Sequence, residues 1–476
     1  MTIQEENTTM VNWLEEVTKR QDELLEDLVR LLKVPSVRED DLATVEAPVG
    51  PGPKAALEEF LKMADEDGFQ TKQYGPWAGR IEVGSGEQLL GVLGHVDVVP
   101  VGTGWETDPF EPVIKDERIY ARGSSDDKGP TVAAYFALKL LRDLGIELNQ
   151  RVHLIVGTDE ESGWQCMDYY FEHAEMPDFG FSPDAVFPII NGEKGNVSAD
   201  FSLPLSEYTE GAYRLVNFNA GLRANMVPQD AVAIIKGADF ETVDAQYKNF
   251  LTEHQLKGST IFGENELQFE LVGKAAHGST PKSGVNAATY LAKFLGGLSF
   301  DNPTATKFLE LLGDVLHLNF EGVSLGVDIT DEIMGELTMN VGVISYSMTD
   351  GGKINANFRF PKGTSPERIE EQIKVAVDSD LIEVTMSDAK EPHYVPADDP
   401  LVTTLLEVYE NQTGQKGHEM TIGGGTYGRL MPRGVAYGAL FPDSIDTMHQ
   451  ANEFIAVDDL LRATAIYAEA IYRLTR

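Results

Sequence analysis

The sequence predicts an α/β fold in which a mixed, largely parallel sheet is flanked by helices and is interrupted by an inserted α+β domain. Near both ends of the chain, apolar runs of strand length alternate with amphipathic stretches of helical length, as in proteins with parallel sheets. Within residues 193–391, apolar and polar residues alternate one by one in places, which is typical of antiparallel strands. The chain has 476 residues, too many for one compact core. We therefore assign residues 1–192 and 392–476 to the main domain and residues 193–391 to the insert.

Apolar periodicity and helix-ending residues predict the elements in order. Leucines and valines at three- and four-residue steps predict a first helix over residues 11–33, before Pro35. A second helix follows Pro53 and ends near Gly68. Further along the main domain we expect a buried strand over residues 89–99, a helix over residues 129–144, a strand over Arg151–Gly157 and a last helix over residues 458–474. In the insert, alternation over residues 267–272 and 356–360 predicts antiparallel strands.

Composition and charge exclude several classes of protein. The chain carries 38 Lys and Arg against 77 Asp and Glu, a formal net charge of −39, which argues against nucleic-acid binding. No apolar stretch approaches the roughly 20 residues of a membrane helix, and residues 1–9 lack the pattern of a secretion signal. The single cysteine, Cys166, cannot form an internal disulfide and is expected to be a buried thiol. We therefore expect a cytoplasmic protein with no membrane partner.

Five short motifs outside the insert supply the acidic and imidazole side chains that a two-metal hydrolase site requires. The motifs are His95-Val96-Asp97, Asp126-Asp127-Lys128-Gly129, Asp159-Glu160-Glu161, Ser182-Pro183-Asp184 and Met448-His449-Gln450. The three negative charges of Asp126, Glu161 and Asp184, together with that of a bridging hydroxide, would balance two divalent cations, and only a neutral cluster of this kind can be buried. In open α/β sheets such chemistry lies at the carboxyl ends of the strands.

Taken alone, each motif also has a structural interpretation. His95 and Asp97 could be a polar pair at a strand end, and Asp126 could cap the helix that begins near residue 129. Glu160 and Glu161 could form a solvated acidic turn, whereas in a metal site one would bind metal and the other would accept a proton. Likewise, Asp184 could lie in a surface turn and His449 could be structural. Only the combination favours the metal site.

Two glycine-rich motifs allow two interpretations each. His277 lies among small residues, so its ring could project into a cleft or lie in a surface turn. The glycine-rich loop at residues 423–428 lacks the lysine and serine or threonine of a phosphate loop, which argues against nucleotide binding. The backbone amides of this loop could instead hold a carboxylate, or the loop could be an ordinary turn.

As a set, the five motifs resemble those of the co-catalytic zinc metallopeptidases, which include carboxypeptidase G, succinyl-diaminopimelate desuccinylase and aminoacylase. Within that family the chain is most similar to the PepV-type dipeptidases of Gram-positive bacteria. The resemblance covers essentially the whole length. It rests on residues 94–100, 123–130, 157–161, 181–184 and 448–453.

The resemblance implies a role for each candidate in the main domain. It implies that His95 and Asp184 bind one metal ion, that Glu161 and His449 bind the other, and that Asp126 bridges both. The metal ions are expected to be Zn²⁺, with Mn²⁺ or Co²⁺ as alternatives. The resemblance further makes Asp97 the support of the His95 ring, makes Glu160 the general base and acid, and implies a cis peptide bond between Asp126 and Asp127.

The resemblance also implies hydrolysis of dipeptides with free N- and C-termini. A water that bridges the two metal ions would attack after losing a proton to Glu160, and His277 would stabilise the oxyanion. The insert would be a lid that contributes His277, Asn225 and Arg359. The residues expected to bind the substrate are Asn225, Arg359, Gly424, Gly425 and Thr426. A lid of this size is expected in a monomer. The alternative within the same family is an N-acyl amino acid deacylase or desuccinylase.

Overall fold

A computed structural model describes residues 11–476, except for the side chain of Asp388. Residues 1–9, on which the expectation about a secretion signal rests, lie outside the described residues. In residues 11–476 no helix is both long and apolar enough to cross a membrane. The same residues contain the α-helices α1 Trp13–Thr18, α2 Gln21–Leu32, α3 Pro51–Glu66, α4 Lys128–Asp143, α5 Gln165–His173, α6 Phe240–Glu253, α7 Ala287–Leu295, α8 Pro303–Glu310, α9 Pro366–Ala376, α10 Pro400–Thr413 and α11 Val457–Leu474.

The strands are numbered in chain order, and most of those in the insert are longer than those in the loops around the main sheet. In chain order the first are β1 Gln70–Tyr74, β2 Ala78–Val83, β3 Leu89–His95, β4 Val113–Lys115, β5 Arg118–Tyr120, β6 Arg151–Gly157, β7 Phe179–Ser182, β8 Ala185–Val186 and β9 Ile190–Glu193. Next come β10 Gly195–Leu203, β11 Tyr213–Ala220, β12 Asp230–Gly237, β13 Lys257–Phe262, β14 Glu266–Val272, β15 Thr330–Asp331, β16 Gly335–Glu336, β17 Thr338–Ser347, β18 Gly351–Phe360 and β19 Glu383–Lys390. The last are β20 His393–Tyr394, β21 Met420–Ile422, β22 Gly434–Ala436, β23 Ala439–Leu440 and β24 Phe454–Ala456.

The described chain divides into two compact units. Unit 1 consists of the chain up to Gly192 together with Tyr394–Thr421 and Gly425–Arg476, and unit 2 consists of Glu193–His393 and Ile422–Gly424. Unit 1 contains a nine-stranded sheet of order β1-β2-β6-β3-β7-β22-β9-β20, with β21 beside β9. Strands β6, β3, β7 and β22 are parallel, while β1 and β2 are antiparallel to their neighbours and β9 is antiparallel to β22. The mixed α/β fold is therefore confirmed, with its parallel strands at the centre.

Both faces of the central strands are covered, which explains their nearly continuous apolar runs. Leu90 and Val92 of β3 pack into the large core that also contains residues of α2, α3, α4, α10 and α11. The side chain of Leu93 points to the opposite face of the sheet and packs with Cys166 and Met167 of α5. Cys166 is thus a buried thiol, as predicted.

Unit 2 is an α+β domain with its own core. Its eight-stranded sheet has the order β13-β14-β12-β11-β17-β18-β10-β19, and every neighbouring pair is antiparallel. Apolar residues of this sheet pack against helices α6 to α9. The alternating segments 267–272 and 356–360 lie in β14 and β18, as predicted.

The prediction of one helix over residues 11–33 is wrong, because the helix breaks between α1 and α2. Arg20 leaves helical geometry, with φ −115° and ψ 18°. Its backbone N–H donates to Val17 O, whereas its guanidinium Nη1 donates to Glu16 O at 2.9 Å. The side chain therefore takes the place of the backbone bond that would have continued the helix.

The predicted strand over residues 89–99 ends earlier, at His95. Val96 N donates to Gly157 O, at the end of the neighbouring strand β6, but Val98 N donates to Ser36 O, in a loop. Asp97 consequently lies in a loop, which changes the contacts of its side chain as described below.

Candidate active site

The carboxyl ends of neighbouring parallel strands bring three of the five motifs together. His95 ends β3 and pairs with Gly157, the last residue of β6. Glu160 and Glu161 follow β6 in the next loop, and Asp184 follows β7. The Asp126 motif precedes α4, and the His449 motif lies in the loop between β23 and β24. All these residues belong to unit 1.

The His95 ring is held from one side and faces carboxylates on the other. Its Nδ1 is 2.9 Å from the carbonyl oxygen of Asp97. Because a carbonyl oxygen only accepts, Nδ1 carries the proton and Nε2 points toward the carboxylates. The Nε2 atom lies 3.3 Å from Asp126 Oδ1 and 3.5 Å from Asp184 Oδ2. Burial alone would lower the pKa of His95, but Asp126, Asp184 and Asp97 raise it well above its ordinary value.

Asp126 faces two imidazoles with its two oxygens. Its Oδ1 lies near His95, and its Oδ2 is 2.9 Å from His449 Nε2. The same Nε2 is 3.3 Å from Glu161 Oε1. The alternative that Asp126 caps a helix is wrong, since Asp127 is the N-cap residue of α4 and makes no side-chain capping bond. The Asp126–Asp127 bond is cis. One carboxylate is therefore shared between two groups of ligand-type atoms.

His449 reaches Asp126 from an unusual backbone conformation. Its φ is 62°, in the left-handed region that residues other than glycine rarely adopt and that is enriched at functional sites. The side chain is 57% exposed. Asp126 first, and then Glu161, raise the pKa of His449 to about 11.

Asp97 contacts more than the histidine it was predicted to support. Its carboxylate Oδ1 is 3.4 Å from His95 Nδ1, a longer separation than that to the backbone carbonyl. The two carboxylate oxygens instead accept the backbone N–H groups of Glu160 and Glu161, each at 3.1 Å. On the other side of this turn, Trp164 Nε1 donates to the carbonyl oxygen of Glu160 at 2.7 Å. Asp97 and Trp164 thus fix the backbone that carries the two glutamates.

The cluster fits divalent cations in its donor chemistry and spacing. His95 Nε2 and Glu161 Oε1 are buried and have no hydrogen-bond partner within the described residues. Ligands with 2.0–2.1 Å bonds in a tetrahedral zinc site lie about 3.3 Å apart, and the separations from His95 Nε2 to Asp126 and Asp184 are 3.3 and 3.5 Å. Buried ligand atoms that lack a hydrogen-bond partner and have this spacing are what a cation site requires.

The raised pKa values of the carboxyl groups also favour a cation site. Burial, followed by the charge of Asp126, raises the pKa of Glu161 to about 7 and also raises that of Asp184. Burial and the charge of Asp184 raise the pKa of Glu160 well above its ordinary value. Crowded carboxylates repel one another, and positive charge between them would relieve this repulsion.

Two sets of ligand atoms come close enough to share an ion. Within each set, one ligand atom per residue lies within 4.8 Å of the others; the sets are His95, Glu160 and Asp184, and His95, Asp126 and Glu161. Glu160 is therefore within the distance range of a ligand as well as of a base.

The remaining predicted residues divide between the two units. In unit 2 a short bridge joins Met226 to His277, and Gly278 N donates to Asn225 O at 2.7 Å. The Asn225 and His277 loops are therefore neighbours. His277 is exposed, and its Nδ1 lies 2.7 Å from Ser279 Oγ.

Part of the glycine-rich loop adjoins the His277 loop. A Cβ added at Gly423 would meet the Cβ of Ser279 at 2.7 Å, so this approach requires glycine. Gly424 belongs to unit 2, whereas Gly425 and Thr426 belong to unit 1. Thr426 is buried, and its hydroxyl accepts Gly428 N at 3.1 Å.

Arg359 lies on a polar face of the unit 2 sheet. It stands on β18 opposite Thr338 of β17, and its Nε donates to Asn357 Oδ1 at 3.1 Å. On the same face, Asn340 Nδ2 donates to the carbonyls of Ala224 and Met226, at 2.7 and 2.9 Å. Asn340 thereby ties the Asn225 loop to the face that carries Arg359, a link that local sequence did not indicate.

Residues 91–473 match the model of peptidase family M20/M25/M40. The chain belongs to this family. A curated relative, the Beta-Ala-Xaa dipeptidase of Lactobacillus delbrueckii subsp. lactis, is 44% identical over 469 residues, which cover 98% of this chain and 99% of that relative.

Solved structures of related fold agree with the architecture of this M20/M25/M40 member. The aminoacylhistidine dipeptidase of Vibrio alginolyticus matches with a TM-score of 0.58 at 15% identity, covering 95% of this chain and 96% of that one. The dipeptidase Dug1p of Saccharomyces cerevisiae matches with a TM-score of 0.57 at 13% identity, covering 97% and 98%. At these identities the matches establish the fold alone.

Every predicted site residue lies inside the segment that matches the M20/M25/M40 family. The segment also contains Trp164, which the sequence did not single out. A tryptophan three residues after Glu161 was a usable signal, since an indole N–H beside a functional turn commonly needs an acceptor.

Proposed function

We propose that this chain is a dinuclear metal-dependent dipeptidase that hydrolyses the peptide bond of dipeptides with free N- and C-termini. The observation that carries the proposal is the shared carboxylate of Asp126, whose two oxygens face His95 and His449 separately. The 44% identity with a Beta-Ala-Xaa dipeptidase over nearly the whole of both chains supports the substrate class.

The ligands that we propose follow the two groups around Asp126. His95 and Asp184 would hold one ion, Glu161 and His449 would hold the other, and Asp126 would be shared by both. Zn²⁺ suits this mixture of imidazole and carboxylate, which Mn²⁺ and Co²⁺ also accept. When bound, such ions polarise the peptide carbonyl and make the attacking water more acidic.

Glu160 is the residue that we propose to move the proton. Its carboxylate accepts a proton from the attacking water and delivers it to the nitrogen of the leaving amine. Burial and the nearby charge of Asp184 raise the pKa of this carboxyl group well above its ordinary value. The backbone bonds to Asp97 and Trp164 keep it in place. His277 is proposed to donate to the oxyanion of the tetrahedral intermediate.

We further propose that unit 2 is a lid domain, and that some of its residues and part of the glycine-rich loop bind the substrate. Arg359 offers a planar fork for the C-terminal carboxylate, and the backbone of Gly424 and Gly425 offers N–H donors for the same group. Asn225 and Thr426 complete the proposed substrate-binding set. A lid of this size, about 200 residues by the divisions above, supports a monomer, which light scattering on the purified protein tests. The lone Cys166 supports a cytoplasmic location.

A substrate panel tests the proposed function. The purified protein is assayed with α-dipeptides, β-alanyl dipeptides, and N-acetyl and N-succinyl amino acids under the same metal conditions. We expect turnover of dipeptides and little turnover of N-acyl amino acids. Turnover of only the N-acyl compounds would make the protein a deacylase or desuccinylase and would overturn the dipeptidase assignment.

Replacing Arg359 with glutamine is expected to raise KM for dipeptides by about 10–100-fold, because a hydrogen bond to a charged group contributes about 1.5–3 kcal/mol. The effect should shrink for the corresponding dipeptide amides, which lack the carboxylate. Arg368→Gln, an exposed position of α9 in the same unit, is the matched control. Equal losses with acid and amide substrates would contradict a carboxylate-binding role.

Replacing Asp97 with alanine is expected to reduce metal affinity and activity by about 10–100-fold, the usual cost of losing a residue that orients ligands. The variant loses both acceptors for the Glu160 and Glu161 amides. Metal affinity and kcat are measured beside Asp41→Ala, which changes an exposed aspartate. Unchanged metal affinity in Asp97→Ala would show that the amide bonds do not position the glutamates.

A further inference from the structure

A buried carboxylate, Glu453, holds the loop that carries Asp126. Its Oε1 accepts the backbone N–H groups of Ser125 at 2.8 Å and Asp126 at 3.1 Å. Its Oε2 accepts the N–H of Gly123 at 3.0 Å and pairs with Arg122 Nη1 at 2.6 Å. Both Glu453 and Arg122 are at most 1% exposed.

These four contacts satisfy a charge that would otherwise be costly to bury. Backbone N–H groups that point into one concavity form an anion site, and here the anion is a side chain of the same unit. Arg122 supplies the neutralising charge, and its Nη2 lies 3.4 Å from each of the carbonyls of Pro100 and Val101. A fully bonded buried group of this kind fixes the backbone around it.

The same residue is also tied to a second candidate ligand. Glu453 follows His449 by four positions, and the segment between them includes left-handed backbone at both His449 and Asn452. Asn452 Oδ1 accepts Glu106 N at 2.8 Å, which anchors the segment. Thr447 Oγ1 accepts Phe454 N at 3.1 Å and so joins the two ends of the loop. Glu453 therefore connects the backbone of Asp126 to the loop that presents His449.

We propose that Glu453 is a positioning residue that sets the spacing between Asp126 and His449 and thereby the affinity of the dinuclear site. The inference rests on the proposed metal-dependent function. Glu453 itself contacts neither the metal-facing oxygens of Asp126 nor the substrate in this account; it acts through the backbone of residues 123–126.

Glu453→Gln is the most informative substitution because glutamine has nearly the same shape as glutamate. Wherever the new amide nitrogen lies, it opposes two donors: Ser125 N and Asp126 N, or Gly123 N and Arg122 Nη1. The variant therefore loses two acceptor contacts and gains donor–donor conflicts. We expect Zn²⁺ affinity of the metal-depleted protein to fall by about 10–100-fold and kcat to fall with KM unchanged.

The matched control is Glu469→Gln in α11. Glu469 is a buried carboxylate of the same unit that accepts Gln412 Nε2 at 2.5 Å and Asn411 Nδ2 at 3.3 Å. This control is expected to lower thermal stability and to leave Zn²⁺ affinity and the absorption spectrum of the Co²⁺-loaded protein unchanged. Glu453→Gln is expected to change both affinity and spectrum.

Calorimetric titration with Zn²⁺ separates the possible outcomes. A wild-type protein that binds no Zn²⁺, Mn²⁺ or Co²⁺ overturns the proposed function. A wild-type protein that binds two ions, together with Glu453→Gln that binds them equally well and gives the same Co²⁺ spectrum, overturns the positioning role alone. If Glu453→Gln does not fold by circular dichroism, Arg122→Lys replaces it: weaker Zn²⁺ binding supports the inference, and unchanged binding overturns it.

Discussion

Replacing Glu160 with glutamine is expected to lower kcat by about 10²–10⁴-fold, the usual contribution of a general base, while the protein keeps both metal ions. Glutamine has nearly the same shape, and the backbone bonds to Asp97 and Trp164 do not involve the side chain. The substitution therefore removes the proton acceptor without releasing the turn. Steady-state kinetics with a dipeptide and metal analysis of the same preparation measure the two quantities.

The metal content of this variant separates two roles that the geometry allows. Glu160 lies with His95 and Asp184 in a set of atoms close enough to share an ion. Loss of one metal ion from Glu160→Gln would make Glu160 a ligand, and full activity would exclude it as the base. Glu172→Gln, at an exposed position of α5, is the control and should behave as wild type.

Replacing Asp126 with alanine is expected to abolish activity and to weaken both metal positions together. Asp126 places one oxygen 3.3 Å from His95 Nε2 and the other 2.9 Å from His449 Nε2, so its loss leaves each position one ligand short. Removing a terminal ligand, as in Asp184→Ala, should weaken one position more than the other. Zn²⁺ titration of the three proteins, with Asp41→Ala as the exposed control, distinguishes a shared ligand from a terminal one.

Two results would contradict the shared role of Asp126. The first is an Asp126→Ala protein that binds one ion with wild-type affinity, since a shared ligand should affect both positions. The second is a variant that retains dipeptide turnover near the wild-type rate. Circular dichroism and thermal unfolding establish in each case that the variant is folded.

The architecture was predictable where local pattern and tertiary environment agree. The strand Arg151–Gly157 has the predicted bounds because its apolar side chains are buried on both faces. The first helix did not form in one piece, because the Arg20 side chain competes for the carbonyl of Glu16. Competition of this kind depends on the conformation of one side chain, and periodicity contains no information about it.

The candidate site was predictable in its residue types and less so in its contacts. The five motifs supplied His95, Asp126, Glu161, Asp184 and His449, and the structure brings these side chains together. Their roles remain predictions. The supporting contacts were beyond sequence reasoning because they join distant parts of the chain. The carboxylate of Asp97 accepts a backbone N–H group about 63 residues later in the chain. The carboxylate of Glu453 accepts one about 327 residues earlier.

Metal analysis of the purified, active protein is the most direct test of the central claim. We expect two divalent ions per chain, with dipeptide turnover that is lost when both are removed by a chelator and restored when two equivalents are returned. A preparation that hydrolyses dipeptides at its full rate with one ion, or with none, would contradict the dinuclear site built around Asp126.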